Sequence, residues 1–183
     1  MFIQTEETPN PATLKFLPGR TLMTEGTAEF KTPEEALPSP LALKLFEIQG
    51  IKGVFFGADF ITVSKDDTKD WATLKPEVLG AIMEHFVTHQ PLFSEKKIPM
   101  SSKHEDDPII GQIQEILDTR IRPAVAMDGG DIVFDRFEEG IVYVRMQGAC
   151  SGCPSSSETL KSGIENMLHH YVPEVLEVRA IES

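Results

Sequence analysis

Cys150 and Cys153 are the only cysteines in the chain, three positions apart. A disulfide framework needs more cysteines, spread along the sequence, so this pair reads as chemical rather than structural. The thiols bracket Ser151-Gly152, after a run with strand character and before one with helical spacing. Pro154 suits a first helical position, which would make Cys153 the cap. Alternatively Ser155 caps and Glu158 completes a Ser-x-x-Glu box. Either way both sulfurs lie near a helix N-terminus, where unpaired N–H groups and the positive dipole end favour thiolate over thiol. Thiolates bind soft metals.

Ligand number then matters. Iron–sulfur clusters are held by four cysteine thiolates, and structural zinc by four Cys or His ligands. One chain offers two thiols. Two copies related by a two-fold axis offer four, so a homodimer bridged at Cys150 and Cys153 is the simplest complete site. Three readings compete at this stage: a cluster or metal carrier, a thioredoxin-like dithiol redox protein, and two incidental cysteines in a turn. A redox dithiol also sits at a helix start, but its domain opens β-α-β, an order missing here.

Other potential ligands have simpler roles. His169-His170 ends the helix that follows the cysteines, roughly 20 Å away at about 1.5 Å per residue, where cationic side chains cap favourably. His85 and His89 stand at i, i+4 and read as a surface pair sharing a helical face, with no third ligand evident. His104 falls in a linker. Asp128-Gly-Gly-Asp131 could be an acidic metal pair, but its glycines point first to a sharp helix-to-strand turn. No nucleophile–base constellation, phosphate loop or nucleotide fingerprint occurs, so no catalytic residues are assigned and the chain is not expected to be an enzyme.

The elements that position the thiols follow from hydrophobic spacing. The polar stretch 94–107 reads as a linker between two small domains, 1–93 and 108–183. In the first, Phe2-Ile3, Thr13–Leu17 and Thr27–Phe30 read as strands, and Leu41–Ile48 as a short helix. Ile51–Phe56 and Phe60–Ser64 form a hairpin, and Trp71–His89 carries helical spacing. In the second, Asp107-Pro108 opens a helix whose apolar face runs from Ile109 to Ile121. Ile132–Phe134 and Gly140–Met146 pair around Phe137–Gly140, a helix covers Ser155–His170, and Val175–Ile181 is a strand. The fold class is α+β: a mainly antiparallel sheet with helices, then an α-β-β-α-β unit.

Bulk properties narrow the function. The chain has 183 residues, a formal net charge of −12 and 40% hydrophobic residues, of which −8 in charge falls after residue 100. An acidic surface without a Lys/Arg cluster argues against nucleic acid and against anionic membranes. No apolar run reaches the roughly 18–20 residues of a membrane span. The N-terminus lacks the marks of a secretory signal or transit peptide, so a bacterial cytoplasm is the default expectation, with a processed mitochondrial form equally compatible.

Arg122-Pro-Ala-Val-Ala-Met-Asp-Gly-Gly-Asp-Ile132, followed by Gln147-Gly-Ala-Cys-Ser-Gly-Cys-Pro-Ser155, resembles the NifU C-terminal domain. Thr8-Pro-Asn-Pro-Ala-Thr-Leu-Lys-Phe16 resembles the opening of the Nfu N-terminal domain. The two likenesses cover nearly the whole chain in the order of the Nfu-type iron–sulfur carriers. They imply a scaffold that receives a [4Fe-4S] cluster from an upstream assembly scaffold and passes it to apo iron–sulfur proteins. Cys150 and Cys153 match the family's ligands, bridging a homodimer. The N-terminal domain is expected to carry no ligands and to recognise partners. The cysteine loop of the metal-free chain is expected to be exposed and mobile.

Overall fold

Alternating apolar residues decide the first half of the chain. A computed structural model describes residues 2–24, 26–94, 107–150 and 154–181, with side chains only from 158 onward in the last segment. The chain divides into two units, Met1–Met100 and Ser101–Ser183. Most of the predicted linker, 95–106, lies outside the described residues.

In the first unit the strands are β1 (Gln4–Glu7), β2 (Thr13–Leu17), β3 (Ala28–Phe30), β4 (Ile51–Phe56) and β5 (Ile61–Lys65). They form one sheet in the order β1-β2-β5-β4-β3, with every neighbour antiparallel. Register places Leu14 opposite Val63 and Phe16 opposite Ile61, with Val54 and Phe56 continuing those rows in β4. Because side chains alternate faces, all six reach one core with helices α1 (Pro40–Phe46) and α2 (Trp71–Val87). Ser39 caps α1 by accepting from the Ala42 N–H, and Pro40 takes the first turn, where its missing donor is harmless.

The Thr8-Pro-Asn-Pro11 segment is the β1–β2 turn. Prolines donate no backbone bond, so side chains take over: the Thr8 hydroxyl donates to Asn10 O at 2.8 Å, and Asn10 Oδ1 accepts from Ala12 N at 3.1 Å. Trp71 Nε1 donates to Pro11 O at 3.1 Å, pinning the turn to the start of α2.

The predicted His85–His89 surface pair does not exist. α2 stops at Val87, where the Thr88 hydroxyl donates back to Glu84 O at 2.9 Å, and His89 turns away with φ 52°. His85 stays on the helix and is only 3% exposed, its ring edge-on to Phe86. Its Nε2 finds no hydrogen-bond partner among the described residues. Helical spacing alone had placed it on the wrong side of the surface. Burial pushes the His85 pKa down, and the Lys44 charge on α1 adds to the effect. With the folded pKa below the unfolded value of about 6.5, the unfolded chain binds the proton first as pH falls. The stabilisation is therefore present above that value and lost below it. Urea unfolding of the Trp71-bearing unit should show a lower midpoint at pH 5.5 than at pH 8. His85→Leu should flatten that difference; a slope that survives the substitution would assign it elsewhere.

The second unit comprises α3 (Pro108–Ile116), a π-helical turn (Leu117–Ile121), α4 (Arg122–Met127), β6 (Gly130–Glu138), β7 (Ile141–Gly148), α5 (Pro154–Tyr171) and β8 (Glu177–Ile181). Asp107 caps α3 by accepting from Ile109 N at 2.9 Å, as the Asp-Pro pair predicts. The helical path continues past Ile121, the predicted end, because the π turn accommodates Pro123. Arg122 N–H reaches back to Leu117 O, and the Thr119 hydroxyl donates to Glu115 O at 2.6 Å. Ile113, Leu117, Ile121 and Val125, four apart, are all buried in the core.

The sheet order is β6-β7-β8, with β6 and β7 antiparallel and β7 and β8 parallel. The β6–β7 turn is tighter than expected. Glu139 and Gly140 both have positive φ, 50° and 79°, as a two-residue hairpin turn requires. A parallel pair needs a crossover, and α5 supplies it. Side chains of α5 then fix the returning strand. Glu165 Oε2 accepts from Val178 N at 3.0 Å, and His169 Nδ1 donates to Val175 O at 2.7 Å. His169 thus holds the turn after the helix in place of capping the helix carbonyls. Both units together make the α+β fold expected from the sequence.

Candidate metal centre

Cys150 lies two residues past the end of β7, where the chain leaves the sheet towards α5. Cys153 lies outside the described residues, as does the whole 151–153 segment. Pro154 is already helical, so Ser155 falls inside α5 and the Ser155-cap alternative is set aside.

The surroundings of Cys150 are built from the Asp128–Asp131 motif. After α4, Asp128 N and Gly129 N donate to Val125 O and Ala126 O, and Gly129 takes φ 79°. This left-handed residue ends the helix and sends the chain into β6. Gly130 begins β6 directly opposite Gly148, the last residue of β7. Ala149 N then donates to Gly129 O at 3.2 Å, folding the chain back over the glycines. The motif is the expected turn, and β6 starts two residues earlier than the predicted strand.

This fold-back places Cys150 inside. It is 7% exposed and belongs to the apolar core with Ile132, Met146 and Ile164. The expectation of an exposed cysteine is corrected on this point. A methyl group on Gly130 would sit 2.5 Å from Cys150 Sγ and 2.8 Å from Gln147 O, so the sulfur occupies space that glycine leaves open.

Asp131, the last residue of the motif, serves as an anchor. It is 3% exposed and takes a two-pronged pair from Arg122: Nε to Oδ1 and Nη2 to Oδ2, both 2.9 Å. Its Oδ1 also accepts from Ile132 N at 2.8 Å, while Arg122 Nη1 reaches Asp118 at 3.1 Å. The bonds to Asp131 and its charge raise the Arg122 pKa beyond its already high range, against the pull of burial. The π turn, α4 and the start of β6 are thereby tied together beneath Cys150. Spacing alone did not reveal this pair, although opposite charges nine residues apart within one motif were the available signal.

Among the described residues, no group of three His, Cys, Asp or Glu side chains is placed to hold a metal ion. His170 stacks edge-on against Tyr171, and His169 is engaged at Val175. Among the same residues no helix is long and apolar enough to cross a membrane. In the first unit a cleft of roughly 530 Å³ lies between the Thr8–Pro11 turn and the Trp71 and Lys75 side chains.

Comparison with known proteins adds an independent line. Residues 3–89 match the family model described as scaffold protein Nfu/NifU N terminal, and residues 113–179 match that of the NifU-like domain. The chain is 51% identical over 177 residues to the human NFU1 iron-sulfur cluster scaffold homolog, mitochondrial, covering 96% of this chain and 70% of that protein. It is 52% identical over 181 residues to NifU-like protein 4, mitochondrial, of Arabidopsis thaliana, covering 96% of this chain and 64% of that one. A solution structure of a NifU-like protein from Saccharomyces cerevisiae overlays with a TM-score of 0.48 at 26% identity, covering 52% of this chain and 87% of that one. With both domain models matched in order and a relative this similar along almost the whole of this chain, the chain belongs to the Nfu/NifU scaffold family.

Proposed function

We propose that this chain is an iron–sulfur scaffold and carrier that holds a [4Fe-4S] cluster on Cys150 and Cys153 of two copies and delivers it to apo-proteins. The observation that supports this most is the likeness to a protein named an iron-sulfur cluster scaffold, extending through the segment that bears both thiols. The position of Cys150 agrees with it: the residue sits just ahead of α5, an 18-residue helix whose N-terminal end favours negative charge.

The cluster is cargo, so the chemistry is ligand exchange. Loading requires Cys150 and Cys153 as thiolates, each giving up its proton. Delivery replaces them one by one with thiolates of an acceptor, and the released cysteines take protons back. Four thiolates for one cluster match two copies of a two-cysteine chain. The chain acts stoichiometrically rather than as an enzyme. Its first unit, with the cleft beside Thr8–Pro11, would meet the donor or acceptor protein. Thiols of this kind need a reducing compartment, which the bacterial cytoplasm and the mitochondrial interior both provide; the relatives named above are mitochondrial proteins.

Anaerobic reconstitution with iron and sulfide tests the proposal, reading iron, acid-labile sulfide and native mass on one sample. A brown dimer with iron and sulfide in equal amounts is expected. A colourless dimer holding one zinc for two chains, or a monomer whose thiols only cycle to a disulfide, would overturn it.

A further inference from the structure

The burial of Cys150 conflicts with a task that requires its sulfur to meet a second copy of the chain. A bridging site needs the sulfur where another protein can reach it, whereas Cys150 is 7% exposed and packed into its own unit's core. Three features make this position a constructed one. Gly130 leaves the space that Cys150 Sγ occupies, and any side chain there would also strike the Gln147 carbonyl. Ala149 N–H holds the fold-back through Gly129 O. The Arg122–Asp131 pair fixes the start of β6 directly beneath it.

We propose that Gly130 is the resting seat of the Cys150 thiol in the metal-free chain, and that the sulfur must leave this seat before a cluster can be loaded. The inference rests on the carrier reading, which it deepens by naming a closed state and the residue that makes it. In the closed state the thiol is kept from oxidants and from adventitious metal. Opening needs only the Ala149–Cys150 segment to lift from the two glycines, leaving β6 and β7 paired.

The test uses the reduced, metal-free full chain carrying Cys153→Ser, so that Cys150 is the only thiol, with N-ethylmaleimide as the probe. Cys150 should react at least about tenfold more slowly in the folded chain than in urea, as expected for a group that reacts through local opening. Its rate should level off as reagent rises, because opening becomes limiting. Gly130→Ala in the same background should raise the rate towards the urea value while the far-ultraviolet spectrum is kept. A folded Cys150 that reacts as fast as in urea overturns the seat, and so does a folded Gly130→Ala chain that reacts no faster than its parent. If Gly130→Ala fails to fold, the comparison in the glycine chain decides. Cluster uptake by the unsubstituted chain faster than the plateau rate would also overturn the requirement for opening. The carrier reading fails separately: a chain with a protected Cys150 that never takes up iron and sulfide would sink that reading and leave the seat standing.

Discussion

Iron and acid-labile sulfide are expected to fall to background when Cys150 is replaced by serine, with the fold unchanged. Groups that merely support a metal ligand typically cost roughly 10–100-fold in affinity when removed, and losing a ligand itself should cost more. Serine keeps nearly the size of cysteine and leaves no cavity beside Ile132 and Met146, while burying its hydroxyl should cost about 1–3 kcal/mol of stability. Hydrogen exchange across β6 and β7 then serves as the control for folding. Sharing of the cluster between copies is tested by mixing. If each cluster needs both copies, a tagged chain with both cysteines changed to serine should retain no iron when paired with an unsubstituted one. Full retention of iron by the Cys150→Ser chain would remove this residue from the site, whatever the family likeness suggests.

The second large effect concerns stability. Arg122→Met should destabilise the second unit by about 3 kcal/mol, because removing one partner of a buried ion pair leaves an uncompensated charge. Asp131 is 3% exposed, and it would keep the bond from the Ile132 N–H while losing both bonds from the guanidinium. Asp131→Asn should cost less. Arg122 is about one-third exposed and also bonds Asp118, so water and that carboxylate can receive it. Amide exchange in β6 should speed up roughly a hundredfold in Arg122→Met if the unit exchanges by unfolding. A loss below about 1 kcal/mol, the range of exposed pairs, would show that Asp131 gains water once Arg122 is gone.

The sequence made some features plain because their causes are local. Asp107-Pro108 opens a helix through one side-chain bond and one missing donor, both visible in two letters. The alternation through Leu14, Phe16, Ile61 and Val63 likewise marks a sheet with one apolar face. Features that depend on which elements meet were not legible in this way. His85 looks like any polar helix residue until α1 and the end of α2 close around it. Cys150 reads as a loop cysteine, yet its burial depends on Gly130, distant in sequence and brought opposite by the β6–β7 register. The family motifs did cover both stretches, Arg122–Ile132 and Gln147–Ser155. They gave no reason why the two occur together; the structure supplies one, since the first stretch is the floor on which the second rests.

The wide turn at Leu117–Ile121 has a consequence for rotation about the helix axis. Buried Ile113, Leu117, Ile121 and Val125 recur every four residues, whereas an ordinary α-helix completes a turn in about 3.6. Over three such steps the apolar line would drift by roughly 120°, carrying Val125 towards solvent. A π turn takes up extra chain and brings the line back into phase. The helical segment is therefore keyed by its length as well as by its composition. Inserting one further residue between 117 and 121 would leave every helix-forming side chain beyond it intact, yet rotate the following turn by about 100°. The guanidinium of Arg122 would then swing away from the Asp131 carboxylate, and the floor beneath the cysteine would lose its bolt.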